Sequence, residues 1–234
     1  MCGRYVSPDE AAIERHWLID RRNSEAFQRR YNVAPTTRVP IIRRKDNGVL
    51  ELLLARWGLI PSWWKQEKPP TMTFNARSED ASGKPMWRHS YRQSRCLVPA
   101  LGWFEWQTRE QLDEPTGELR AIKQPHFIHC ELDPLFAFAG LLSVWRGSAE
   151  DPVVSCAVLT KAAAASISKI HDRMPVVLSA PDHASWLSPD QSVDSIQQMV
   201  VGSRQDFTSY PVSTRVNNTR NDSAELIERI PDLV

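Results

Sequence analysis

The sequence predicts an α+β fold: a curved, barrel-like, mainly antiparallel β-sheet with flanking helices, in a single domain over residues 1–234. Three observations carry this reading. Short apolar runs rich in Val, Ile, Leu and aromatic residues recur along the chain, bounded by Gly, Pro, Asn and Asp. Helical periodicity is confined to a few short stretches, so strands and helices do not alternate as a parallel βαβ sheet requires. Finally, 234 residues suit one large core, and 41% hydrophobic with 24% charged residues is an ordinary globular composition.

The elements follow in order. In "SPDEAAIERHWLI", Ser7 can cap a helix, Pro8 fits its first turn and Glu10 completes a capping box, with Ile13, Trp17 and Leu18 on one face. "FQRRYNVAPTTRVPII" holds two prolines among polar residues and reads as an ordered loop leading into a strand at 39–43. "VLELLLARWGLI" pairs back on that strand through an Asn47-Gly48 turn. "PSWWKQEKPPTMTFNARSED" is too proline-rich to be regular and is expected to be a surface loop. "CLVPALGWFEW" is a strand pair or a strand bent at Gly102. Residues 107–124 form a hairpin tip, and "HFIHCEL", "LFAFAGLLSVW" and "PVVSCAVLT" are three further strands. "KAAAASISKI" is helical on propensity, "RMPVVLS" is a strand, "PDHASWL" and "DQSVDSIQQMVV" are short helices, and the tail is mostly loop.

Several function classes drop out. No apolar run approaches the roughly 20 residues of a membrane span, and no basic-then-apolar start marks a secretory signal, so a cytoplasmic protein without membrane partners is expected. Cys2, Cys96, Cys130 and Cys156 include no C-x-x-C pair, against a disulfide framework or zinc ribbon. No metal and no cofactor is expected: P-loop, dinucleotide-binding, H-E-x-x-H and zinc-deaminase patterns are all missing from the sequence. The net charge of +1 conceals an asymmetry. Residues 1–110 hold 19 Lys and Arg against 12 Asp and Glu, and the remainder hold 10 against 16. That imbalance marks a polyanion-binding face, unless the charges intermix on folding.

Four short segments hold residues suited to chemistry. Cys2 becomes a 1,2-aminothiol if Met1 is removed. Its amine and thiol then have ordinary values of about 7.7–8.0 and about 8.5, so both are nucleophilic near neutrality and together close a thiazolidine on an aldehyde. "FNARSED" groups Asn75, Arg77 and Glu79, which suits a polar, phosphate-bearing substrate or a plain turn. "GWFEW" sets Glu105 on one strand face with Trp103, either as a carboxyl with a raised pKa among aromatics or as an exposed strand glutamate. "KIHDRMP" holds His171, the histidine best placed by context for acid/base work, although a lone histidine is as readily structural. Six of nine tryptophans lie between Trp57 and Trp106; most belong in the core, and at least one of Trp63 and Trp64 outside it.

Seven motifs occur in one order across nearly the whole chain: "MCGRY", "RYNVAPTT", "WGLIPSWW", "FNARSE", "CLVPALGWFEW", "IHDRMPVVL" and "VNNTRND". The set resembles the SRAP family, the SOS-response-associated peptidases, which are abasic-site processing proteins. The resemblance implies single-stranded DNA containing abasic sites as partner and covalent capture of the ring-opened sugar; a monomer, nucleoid-associated if bacterial, is expected. It implies Cys2 as nucleophile after loss of Met1, Asn75 as orienter, Glu105 as proton carrier and His171 as the aid to ring opening. It implies DNA contacts from Arg4, Arg77 and Arg173, and from Pro35, Trp63, Trp64 and Trp106. Leu101 departs from the family pattern, standing where Asp is usual. Two other readings share the thiol: an N-terminal-nucleophile cysteine peptidase or amidohydrolase, and a single-strand binding module in which Cys2 is incidental.

Overall fold

The computed structural model describes residues 2–19, 27–69, 71–113, 118–147 and 152–231. Among them, thirteen strands form two sheets. The first, in the order β13-β8-β7-β1-β2, comprises β1 (Tyr5–Ser7), β2 (Arg30–Val33), β7 (Gly102–Asp113), β8 (Glu118–His129) and β13 (Thr208–Pro211). The second contains a closed ring: β10 (Val153–Ala162), β4 (Leu50–Trp57), β3 (Arg38–Arg44), β6 (Arg95–Ala100) and β9 (Phe136–Trp145), with β9 pairing back on β10. All the ring's pairings are antiparallel except β10 with β4. The short strands β11 (Arg173–Pro175) and β12 (Val177–Leu178) extend β10 and β9, and β5 (Asn75–Arg77) joins β10 in parallel. The expected barrel-like, mainly antiparallel sheet is therefore present, closed along five strands.

The two-residue side-chain period of a strand explains why the ring strands are apolar throughout. Val98, Phe138 and Val158 turn to a core shared with Tyr5, Trp103 and Ile128 of the open sheet. Their neighbours Leu97, Ala139 and Leu159 turn the other way, under Ile13, Tyr91, Trp186 and Ile196. Those four come from α1 (Glu10–Trp17), α3 (Arg88–Gln93), α4 (His183–Trp186) and α5 (Val193–Val201). A one-turn α2 (Ser78–Ala81) follows β5. The outer face of the open sheet packs Val6, Phe104 and Phe127 against Val212, Val216 and Leu226 of the C-terminal segment. None of the described helices is long and apolar enough to cross a membrane.

Several local expectations are corrected. Ser7 is not a helix cap: β1 claims it by pairing with Arg30, and Asp9 accepts the Ala12 N–H instead, at 2.9 Å. Glu10 accepts from the Phe27 N–H and does not close a capping box. Leu18 lies outside the helix with φ of 53° and is 90% exposed, so it does not share the buried face with Ile13. The helix expected from "KAAAASISKI" is a run of turns, with Ile167 N–H donating to Ala164 O and Ile170 N–H to Ile167 O. There β10 takes Lys161 and Ala162, and burial of Ala164 and Ile167 overrides helix propensity. Residues 107–124 are mostly ladder, from Gln107↔Gln124 to Asp113↔Glu118, and residues 114–117 lie outside the described residues. The loops expected at 27–38, at 61–80 and in the tail contain β2, β5 with α2, and β13. "CLVPALGWFEW" does form two strands, but β6 enters the ring while β7 crosses to the open sheet. Leu101 links them, donating its N–H to Val6 O at 2.9 Å while its side chain packs on the outer cluster.

At Gly102 a Cβ would lie 2.3 Å from Phe127 Cζ and 2.6 Å from Ile128 O. The ring is held in the outer core and the carbonyl in the β7–β8 ladder, so neither gives way cheaply. Gly102→Ala is expected to destabilise the fold by about 1–3 kcal/mol, read as a lowered urea midpoint with an unchanged slope.

Candidate active site

The pairing of β1 with β7 places the N-terminal residues. Tyr5 stands opposite Trp103 and Val6 opposite Gly102, and Phe104 N–H donates to Arg4 O at 3.0 Å. Continuing that antiparallel register toward the N-terminus carries Cys2 and Gly3 alongside Glu105. Glu105 shares the inward face of β7 with Trp103 and is 2% exposed, which rules out a solvated strand glutamate. Cys2 is also buried, and its thiol hydrogen-bonds the Glu105 carboxyl.

The other sheet supplies the remaining groups. β5 lies against β10 with Asn75 opposite Val158, and Asn75 Nδ2 donates to Cys2 O at 2.9 Å. Asn75 Oδ1 is buried with no hydrogen-bond partner among the described residues. His171 lies in the turn before β11, with Nε2 3.9 Å from Glu105 Oε2. The Arg173 N–H donates to His171 Nδ1 at 2.9 Å, so the neutral ring carries its proton on Nε2, facing the carboxyl. Asp172 Oδ1, 3.0 Å from Nδ1, can accept when the ring is doubly protonated.

Burial, followed by the adjacent Glu105 carboxylate, holds the Cys2 thiol well above its ordinary value. Burial likewise raises the Glu105 carboxyl. A thiol, a carboxyl and an imidazole thus meet where charge is costly, the condition under which a proton passes readily among them.

A cleft of about 470 Å³ opens on this group, lined by Arg4, Glu105, Trp106, Lys123, His171 and Asn217. The three arginines named from sequence sit differently. Arg77 is exposed at the end of β5. Arg173, with a side chain 14% exposed, forks onto both Glu79 oxygens at 2.6 and 2.9 Å and also donates to Thr160 O. Arg4 donates to Asn32 Oδ1 and to Val216 O at 3.0 and 2.7 Å, and burial lowers its pKa. Trp106 donates its indole N–H to Asn217 Oδ1 at 2.7 Å.

Pro35, Trp63 and Trp64 do not line this cleft. Pro35 borders a separate hollow beside Trp57 and Met72. Trp63 is 52% exposed and meets Trp64 edge-to-face at 5.6 Å, as expected for at least one indole outside the core. Lys123 and Asn217 were missed as site residues. Asn217 does sit in the "VNNTRND" motif, whereas Lys123 lies in a stretch read as hairpin tip, with no local signal.

Comparison with known proteins identifies the family. The family model described as SOS response associated peptidase (SRAP) matches residues 1–219. The chain is 35% identical over 233 residues to the abasic site processing protein YoaM of Bacillus subtilis (strain 168), covering 97% of this chain and 98% of that one. It is 33% identical over 204 residues to the abasic site processing protein YedK of Escherichia coli (strain K12), covering 86% and 85%. In fold it is similar to a crystal structure of a Bacteroides thetaiotaomicron protein, with a TM-score of 0.84, 22% identity and coverage of 99% and 100%. With a family model spanning nearly its whole length and relatives matched from end to end, the chain belongs to the SRAP family.

Proposed function

We propose that this protein processes abasic sites in single-stranded DNA by capturing the ring-opened sugar aldehyde as a thiazolidine on Cys2, once Met1 has been removed. The observation that carries the reading is the convergence of Cys2, Asn75, Glu105 and His171 beside the N-terminal strand, with Glu105 and His171 lining the cleft. The names of its relatives, abasic site processing proteins, point the same way.

An abasic sugar is a hemiacetal in equilibrium with an aldehyde. In ring opening, His171 Nε2–H gives a proton to the ring oxygen while the hydroxyl proton at the anomeric carbon passes to Glu105. The freed α-amine of Cys2 adds to the aldehyde carbon and water leaves, forming an imine. The thiol sulfur then adds to the imine carbon, its proton reaches the nitrogen through Glu105, and a five-membered ring closes. Asn75 holds the Cys2 carbonyl, and its Oδ1 is the acceptor for the freed amine. Release of Met1 by the protein itself, with Glu105 carrying the proton, would account for the peptidase in the family description; an aminopeptidase would give the same product. The imine also permits weak strand cleavage by β-elimination. Arg4, Arg77 and Arg173 supply phosphate contacts, and Pro35, Trp63, Trp64 and Trp106 the wedge and stacking surfaces.

On a denaturing gel, processed protein mixed with abasic single-stranded DNA is expected to give a shifted band that is missing with intact DNA and lost in Cys2→Ala. No shift from fully processed wild type would sink the proposal. Glu105→Gln is expected to slow crosslinking by about 10²-fold, the scale of general acid–base catalysis, with strand affinity retained; an unchanged rate rejects the proton-carrying role. Affinity for undamaged single strands should fall with salt, with a slope in log K against log salt of about −0.7 per phosphate held. Salt-insensitive binding would remove the phosphate role from the arginines.

A further inference from the structure

The "VNNTRND" segment is latched to the N-terminal strands. Asn32 Nδ2 donates to Val216 O and Asn221 O at 3.1 and 2.9 Å, Asp222 Oδ1 accepts from Asn32 N–H at 3.1 Å, and Arg4 holds Val216 O. This latch sets Asn217 in the wall of the cleft beside Glu105 and His171. An indole N–H is a donor only, so the atom of Asn217 that meets Trp106 Nε1 at 2.7 Å must be the oxygen. The amide orientation is thereby decided by chemistry. Nδ2 is left as the other end of an exposed side chain, with no partner among the described residues.

We infer that Asn217 is a hydrogen-bond donor to the base of the nucleotide next to the abasic site, taking the N3 or O2 acceptor while Trp106 offers that base a stacking face. The inference rests on the reading of the protein as a binder of abasic single strands. It adds a positioning contact and a subsite for an intact neighbouring base. The chemistry favours a base over a phosphate. A neutral amide next to an indole matches an aromatic ring with an edge acceptor, and Arg4 and Lys123 in the same wall are better suited to phosphate. Purine N3 and pyrimidine O2 occupy equivalent positions on the minor-groove edge and both accept, so one fixed donor serves any sequence. The subsite registers that a base is present and not which base it is. It therefore seats the strand so that the baseless sugar, and not an intact nucleotide, stands at Cys2.

The test uses tetrahydrofuran, an abasic analogue with no aldehyde, so capture chemistry does not enter. Affinities are measured by fluorescence anisotropy for single strands with a central tetrahydrofuran flanked by bases, and for strands in which one flanking base, on either side, is replaced by a second tetrahydrofuran. Wild type is expected to prefer the base-flanked strand on one side of the lesion. Asn217→Asp keeps an oxygen for the Trp106 indole and removes the donor. Its added charge repels the phosphates of both strands alike, and that part cancels in the ratio of affinities; what remains is the exchange of a donor for an acceptor at the base edge. That ratio is expected to fall about three- to tenfold, the worth of one hydrogen bond. An unchanged ratio in Asn217→Asp leaves stacking alone and overturns the inference. A wild type with no base preference on either side overturns it too. The crosslinking gel is read separately, so a protein that captures abasic DNA yet shows no base preference refutes the base subsite and leaves the capture reading standing.

Discussion

The short pairing of β1 with β7 is the constraint on which the site depends. Tyr5 opposite Trp103 anchors the first strand by two large aromatic side chains in the shared core, where Tyr5 also meets Trp57 and Phe138 edge-on. With Tyr5 held there, the residues before it have one course, along β7 toward Glu105. A chain terminus is normally among the least ordered parts of a domain. Here its second residue is buried against a carboxyl, and the Asn75 amide holds its carbonyl. On the proposed reading that restraint positions the nucleophile, because the entropy of placing it is met by the fold before substrate arrives.

The site lies where the two sheets meet. The open sheet contributes Glu105, Trp106 and the Cys2 segment, and the ring contributes Asn75 through β5 and His171 through the turn after β10. Trp103 explains how a carboxyl can be kept there. Its side chain packs edge-on to Phe136, Phe138 and Phe207 and walls the inward face of β7 from water on one side. The charged form of Glu105 is disfavoured in that setting, and on the proposed reading the thiol and imidazole near it are its proton partners.

The C-terminal segment completes the wall. It covers the outer face of the open sheet with Val212, Val216 and Leu226, and its backbone carbonyls take the Arg4 and Asn32 donors. Arg4 is therefore both a strut and a cleft residue. Arg173 shows a related economy, since Glu79 holds its fork in one plane beside His171.

What the sequence determined by itself were the features that depend on local pattern. Runs such as "LFAFAGLLSVW" read as strands, the Asn47-Gly48 turn implied the β3–β4 hairpin, and the family resemblance carried by the ordered motifs grouped Cys2, Asn75, Glu105 and His171. Local pattern failed where a distant partner decided the outcome. Ser7 could cap a helix, but Arg30 drew it into a sheet. The alanines at 162–165 could form a helix, but β11 and the core kept them otherwise. "RYNV" gained its strand only from β1 and Asp222. Tertiary structure alone decided that Glu105 faces inward, that His171 presents Nε2 to it, and that Asn217 turns its oxygen to Trp106. The inward course of Glu105 and the placing of Asn217 against Trp106 depend on contacts between residues far apart in sequence, whereas the Nε2 tautomer of His171 follows from the Arg173 N–H two residues on, which the folded turn brings to Nδ1.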